Sequence, residues 1–368
     1  MIYLDYQATT PLAPEARAAM LEWLDGRAAN PHSPHRAGRA AAAVVAVARK
    51  RIAAPFGGGR LIFTSGATEA ANTVLQGVMA SSQRNRLVTV ATEHACVLDT
   101  AAALEKQGCD VVVVPVGRDG LVDLDAVAAA IDDRCALVSV MHVNNEIGVV
   151  QPIEALAALA RKAGALIHVD AAQGYGKLPI PEGSADFVSI SAHKIYGPIG
   201  IGALWMADGM TLPGLLHGGG QEAGIRSGTI SPALAAAFGA AAALAFTRID
   251  ADRDHAERLA ARLRGGLADW TLNGAESPRW AGNVNIRHDG VDAARLISEL
   301  RGLAFSAGSA CASGSGRPSH VLKAIGLSDV EARSSIRLGF GRYTTEDEID
   351  RAVMMIRDAA ARQQEWAA

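Results

Sequence analysis

Between residues 60 and 206, short runs rich in Val, Ile and Leu alternate with alanine-rich segments of helical length. The runs fall at 60–64, 87–91, 110–116, 135–143, 166–171, 187–191 and 202–206, and helices are predicted at 68–79, 97–107, 124–131 and 153–163. A strand that is apolar throughout is covered on both faces, and helices between such strands supply the cover. The pattern predicts an α/β fold around a mainly parallel, seven-stranded sheet. Ligands of such sheets gather beyond the carboxyl ends of the strands. Residues that close these runs are therefore the first candidates for chemistry.

After Gly228 the pattern changes. A helical stretch from Pro232 to about Trp270, expected to be kinked or broken, leads to a strand at 283–287 and a helix at 291–300. A Gly/Ser/Ala-rich stretch (306–316) and a strand at 335–339 follow. Thr345 with Glu348 three residues on has capping-box spacing and opens the last helix. A chain of 368 residues exceeds what one compact core usually holds. The expected division is a large domain at 14–250 and a smaller α/β domain at 251–368, joined by the N-terminal segment 1–13.

Apolar residues make up 49% of the chain and charged residues 20%, which suits a globular protein with a sizeable core. A net charge of -3 without a dense Lys/Arg tract gives no reason to expect nucleic acid or an anionic membrane as partner. The opening MIYLDYQATTPLAP lacks the basic and long apolar regions of a secretory signal. The charge-free stretch 227–247 holds Pro232 and two glycines and is poor in Leu, Ile and Val, so it reads as a buried helix rather than a membrane span. The four cysteines are scattered without a CxxC pair, which points to neither a disulfide framework nor a metal cage and suits a reducing, cytoplasmic setting.

Lys194 ends the segment FVSISAHK, just past a predicted strand. Desolvation at the mouth of a sheet can lower a lysine's pKa, as Schiff-base chemistry requires; the alternative is a lysine snorkelling from a strand end. Asp170 closes LIHVD at the same rim, either as a carboxylate for a ring nitrogen or as a cap of the next segment. Ser65-Gly66-Ala67-Thr68 follows LIFT and opens a helix, forming a phosphate cradle or an ordinary capped turn, which Ser191 and His193 could complete. His94, past LVTVA, could stack on a ring and pass protons, or be an ordinary packed histidine. Arg337, in SSIRLGFGR, needs an anion: a substrate carboxylate or a structural ion pair. Cys96 and Cys109 flank a helix and Cys135 opens a strand, sites where thiols are usually packed and inert. Cys311 lies instead among small residues in SAGSACASGSG, where a mobile nucleophile is the functional reading.

Taken together, these segments resemble the cysteine desulfurases, the NifS and IscS family within the fold-type I, class V aminotransferase-like pyridoxal-phosphate enzymes. The resemblance runs nearly end to end, through YLDYQATTP, NPHSPHRAG, TSGATEAAN, TEHACVL, MHVNNEIGVVQPI, HVDAAQGYGK, SISAHKIYGPIGIGAL, GGGQEAGIRSGT, SAGSACASGSGRPSHVL and SSIRLGFGRYTTEDEI. It implies that Lys194 forms the Schiff base with pyridoxal 5'-phosphate, that Asp170 pairs with the pyridinium nitrogen, that Gln173 bonds the ring hydroxyl and that His94 stacks on the ring. Ala67, Thr68, Ser191 and His193 are implied to hold the phosphate, with Thr229 contributing from the partner subunit of a homodimer. Asn145 and Arg337 are implied to bind the cofactor and the carboxylate of L-cysteine.

Cys311 is implied to carry the sulfur as a persulfide to an acceptor such as an iron–sulfur scaffold protein, where it could also serve as a transient cluster ligand; no resident metal is expected. The Cys311 segment resembles the longer-loop group of the family. Gln7 and Ala223 depart from the family pattern, Ala223 standing where an arginine is common, and neither is expected to touch a catalytic role. A selenocysteine lyase, another aminotransferase-like enzyme of this fold and a non-catalytic partner-binding scaffold are the competing expectations.

Overall fold

The structure, a computed structural model, describes residues 1–26, 28–307 and 318–367; Cys311 lies outside the described residues. Its strands are β1 (Ile2–Tyr3), β2 (Arg60–Thr64), β3 (Arg86–Val90), β4 (Asp110–Val114), β5 (Cys135–Met141), β6 (Leu166–Asp170), β7 (Phe187–Ser191), β8 (Gly202–Met206), β9 (Thr271–Leu272), β10 (Asn283–Arg287), β11 (Leu303–Ala304) and β12 (Ser335–Gly339). Seven of them form the central sheet in the order β2-β8-β7-β6-β5-β3-β4. The four pairings from β7 through β4 are parallel, whereas β8 runs antiparallel to both β7 and β2. The connection 192–201 between β7 and β8 carries no crossover helix, and a parallel return needs a dozen or more residues.

Strands β5, β7 and β8 are buried along their whole length, as the unbroken apolar runs predict. The runs at 110–116 and 135–143 end earlier as strands, at Val114 and Met141, because Val116 and Val143 turn away to bridge Val122 and Val150. The last helix begins at Glu346, and Thr345 and Glu348 cap each other's backbone amides reciprocally.

The predicted break after Pro232 is absent: one helix runs unbroken over Pro232–Gly266. It is the one helix among the described residues long and apolar enough to cross a membrane, yet its alanine face packs into the core on the helices Pro14–Leu24 and Arg36–Ala53. Gly239 marks a close approach rather than a break, since a Cβ there would stand 2.7 Å from Ala48 Cα. The same helix spans two cores. Ala235, Phe238 and Ala242 belong to the core of the central sheet, whereas Leu259 and Leu263 pack with Ile286, Ile336 and Leu338 around β10 and β12. Ile2 and Leu4 join this second core, and β1 pairs with β11.

Candidate active site

The candidate site is a cavity of about 430 Å³ at the carboxyl ends of the parallel strands. Strands β2, β3, β5, β6 and β7 each end at or lead into residues that line it. After β2 the turn Ser65-Gly66 leads into the helix Ala67–Ser81, whose N-cap residue Gly66 has no side chain to satisfy the first amides. The neighbouring strand β8 approaches so closely that a Cβ on Gly202 would lie 2.6 Å from Gly66 Cα. Exposed amides and the positive end of the helix dipole make this turn an anion site. Ser191 and His193, at the end of β7, line the same cavity. The His193 imidazole is lowered to about 4, first by burial and then by the Lys194 and Lys177 amines, so at neutral pH it is uncharged.

Asp170 ends β6 and is 4% exposed. Its Oδ1 accepts from the Ala172 amide at 2.9 Å, and its Oδ2 lies 4.0 Å from Cys96 Sγ. Burial pushes this carboxyl up, against the pull of the Ala172 amide, His94 and Lys194. A cationic ring nitrogen is the partner that keeps such a carboxyl ionised. His94 caps the helix Ala95–Lys106 by accepting from the Cys96 amide through Nδ1 at 3.1 Å, and its ring stands in the cavity wall. Burial and the Asp170 and Glu93 carboxylates push the Cys96 thiol far up, so it lines the cavity without being a nucleophile.

Lys194 closes the short 3-10 turn after β7. Its Nζ donates to the carbonyls of Gln7 and Ala8 at 2.5 and 2.8 Å. The amine is therefore held inside the cavity instead of snorkelling outward. Gln173 is buried, with Nε2 donating to the Gln7 carbonyl at 2.9 Å and Oε1 accepting from Lys177 Nζ at 3.1 Å. Gln7 thus anchors two site residues through its backbone and lines the cavity itself. This corrects the expectation that Gln7 stands apart from the chemistry. Its apolar-flanked position in YLDYQATTP carries no periodic signal; only long-range pairing, more than 160 positions along the chain, brings it here. Ala223 is exposed, with φ of 58°, away from the cavity.

Arg337, on β12, is 1% exposed. It donates to Asp5 Oδ1 at 2.7 Å and to the Asn145 carbonyl at 3.0 Å, while its Nε has no partner. The two readings of Arg337 therefore coexist: it forms a structural ion pair, and it is part of the cavity wall with one donor left over. Asn145 also lines the cavity, and its Oδ1 is likewise buried without a partner. Thr229 is exposed and is not among the lining residues.

These groups fit pyridoxal phosphate. An uncapped helix N-terminus with a hydroxyl and an imidazole suits the phosphate, a buried carboxyl suits the ring nitrogen, and a cavity-facing amine lies between them. The Arg337 Nε donor and the Asn145 Oδ1 acceptor are buried polar atoms without partners in two residues of the cavity wall, as in a site that lacks its ligand.

Residues 2–352 match the aminotransferase class-V family. The chain is 43% identical to the cysteine desulfurase IscS of Rickettsia akari, over 96% of this chain and 90% of that one. A solved NifS-like protein superposes with a TM-score of 0.92 at 30% identity, covering 98% of this chain and 99% of its own. SspA, solved in complex with cysteine, superposes with a TM-score of 0.84 at 33% identity, covering 94% of this chain and 100% of its own. The chain belongs to the aminotransferase class-V family, in its group of NifS- and IscS-like cysteine desulfurases, and shares their dependence on pyridoxal phosphate.

Proposed function

We propose that this protein takes the sulfur of free L-cysteine onto Cys311 as a persulfide, releases L-alanine and passes the sulfur to an acceptor protein for iron–sulfur cluster, thio-cofactor or tRNA thiolation chemistry. The observation that carries the reading is the convergence of the Lys194 amine, the Asp170 carboxyl, the uncapped turn at Ala67 and the Arg337 edge on one cavity. The likeness to SspA, solved with cysteine bound, supports the substrate.

Pyridoxal phosphate, when bound, supplies the electron sink that makes the substrate's Cα proton acidic. The rest belongs to the chain. The Arg337 guanidinium and the Asn145 side-chain N–H hold the substrate carboxylate and so orient the Cα–H bond. The Lys194 amine takes that proton, and the Gln7 and Ala8 carbonyls hold it ready to do so. Asp170, in its dry setting, keeps a proton on the ring nitrogen. The Cys311 thiolate then attacks the substrate sulfur: a sulfur–sulfur bond forms, the carbon–sulfur bond breaks, its electron pair stays with Cβ, which is protonated to the alanine methyl, and a proton returns to Cα from the Lys194 ammonium.

A homodimer fits this reading, because Thr229 is exposed and outside its own cavity, as a residue lent to a partner's phosphate site has to be. A persulfide carrier also needs a reduced thiol, which favours the cytoplasm.

The test is product analysis with L-cysteine. The expected products are alanine and one sulfane sulfur per turnover, and Cys311→Ser keeps the lysine-bound cofactor band while losing the persulfide. A keto acid product, or a Cys311→Ser protein that makes alanine and sulfide at full rate, overturns the reading.

A further inference from the structure

Behind the cavity lies a second buried amine that the mechanism above does not use. Lys177 is 9% exposed, sits in the turn that follows β6, and stands 5.9 Å from the centroid of the Trp280 ring. Burial, and then the nearby Lys194 amine, lower it to about 7. Among the described residues no carboxylate forms an ion pair with it. Removing an amine from water without a counter-charge is costly, so the hydrogen bond it makes matters: Nζ donates to Gln173 Oε1 at 3.1 Å.

That bond settles how a side-chain amide is turned. A backbone carbonyl only accepts, so the Gln7 carbonyl must meet the nitrogen of Gln173. That leaves the oxygen for Lys177, which has donors to offer it as an ammonium or as an amine. The Gln7 carbonyl, however, is shared with Lys194 Nζ. Lys177 is the contact that Gln173 shares with no catalytic group. With Oε1 engaged behind the wall and one Nε2 hydrogen on Gln7, the second Nε2 hydrogen is left for the cavity.

We propose that Lys177 is a positioning residue for the cofactor ring: it draws Gln173 Oε1 out of the cavity, so that the amide presents an N–H, and not a repelling oxygen, to the ring hydroxyl. The proposal rests on the reading of the cavity as a pyridoxal-phosphate site.

Two ligands separate this role from packing: pyridoxal phosphate and its 3-deoxy analogue, which lacks the ring hydroxyl. Both are titrated into cofactor-free full-length protein, and the dissociation constant is read from absorbance. Lys177→Met, similar in length but without a donor, is expected to weaken pyridoxal phosphate about tenfold, the effect of one hydrogen bond with a charged partner, while changing the analogue by less than about twofold. Equal loss on both ligands assigns Lys177 to packing alone and overturns the proposal, as does no loss on either. If Lys177→Met does not fold, Lys177→Arg carries the test, since it keeps donors toward Oε1. It is expected to keep the wild-type preference for pyridoxal phosphate over the analogue, and loss of that preference overturns the proposal. Failure of the underlying reading looks different: the wild-type protein then binds neither ligand, or Lys194→Ala leaves the bound cofactor's spectrum unchanged.

Discussion

Asp5 and Arg337, 332 positions apart in the chain, form an ion pair of 2.7 Å at the wall of the cavity. The same Asp5 oxygen accepts from Ser306 Oγ at 3.0 Å, and Ser306 pairs backbone to backbone with Arg337. The guanidinium is thus held in one orientation in the cavity wall. Asp5→Asn is expected to raise KM for L-cysteine about tenfold, the weight of a charge-assisted hydrogen bond, with kcat within about twofold of wild type. Steady-state kinetics check the split, and an unchanged KM would show that Arg337 needs no clamp.

Lys194 holds the position from which the Cα proton can be taken. Lys194→Ala is expected to lower turnover at least about 1000-fold and to abolish the lysine-bound absorbance band. The melting temperature of the cofactor-free protein is expected to stay close to wild type, because its bonds to the Gln7 and Ala8 carbonyls lie at the cavity and not in a packed core. Parallel spectra and melting curves separate the two effects.

Glu93 is fully buried, with Oε1 accepting from the Met141 amide at 2.6 Å and Oε2 without a partner. Burial raises its carboxyl well above the ordinary value of 4.5, the Met141 bond opposing and Asp170 adding to the rise. A carboxyl raised in the folded state binds its proton more tightly there than in the unfolded chain. Stability is then full below the unfolded value and falls as pH climbs toward the folded one. Glu93→Gln removes this loss. The variant is expected to match wild type near pH 4.5 and to melt about 4 °C higher at pH 8, a gap that melting curves across that range would reveal.

Arg342 joins the second core to the segment of Lys194. It donates to Asp252 on the long helix at 2.6 Å, and its guanidinium lies 4.2 Å from the ring centroid of Tyr196, two residues after Lys194. Asp252→Ala strands a largely buried cation and is expected to cost about 3–5 kcal/mol, or a fall of roughly 6 °C or more in melting temperature. Restoring the acid at reduced length is not possible, but Asp252→Asn keeps an acceptor and is expected to recover about half the loss.

The primary structure alone was enough for the central sheet and for most of the rim. Unbroken Val/Ile runs can survive only between two covering layers, and the residues that end them, such as Asp170, Lys194 and Ser65, must then emerge at one edge. Local chemistry also reached the reciprocal cap of Thr345 and Glu348, because a capping box needs nothing beyond four residues. What lies behind the rim was decided by packing. The carbonyl of Gln7 under Lys194, the clamp of Asp5 on Arg337 and the Lys177 amine on Gln173 carry no periodic or spacing signal. Two of these contacts join the first residues of the chain to partners beyond position 190, and the third depends on where the turn after β6 is buried. The antiparallel turn of β8 and the continuity of the helix Pro232–Gly266 belong with them, since a short connection and a close approach between Gly239 and Ala48 exist only once the layers have met. Periodicity reports which face of an element is dry; it cannot report which distant backbone atom will stand opposite, because that is set by the sum of all the packed surfaces together.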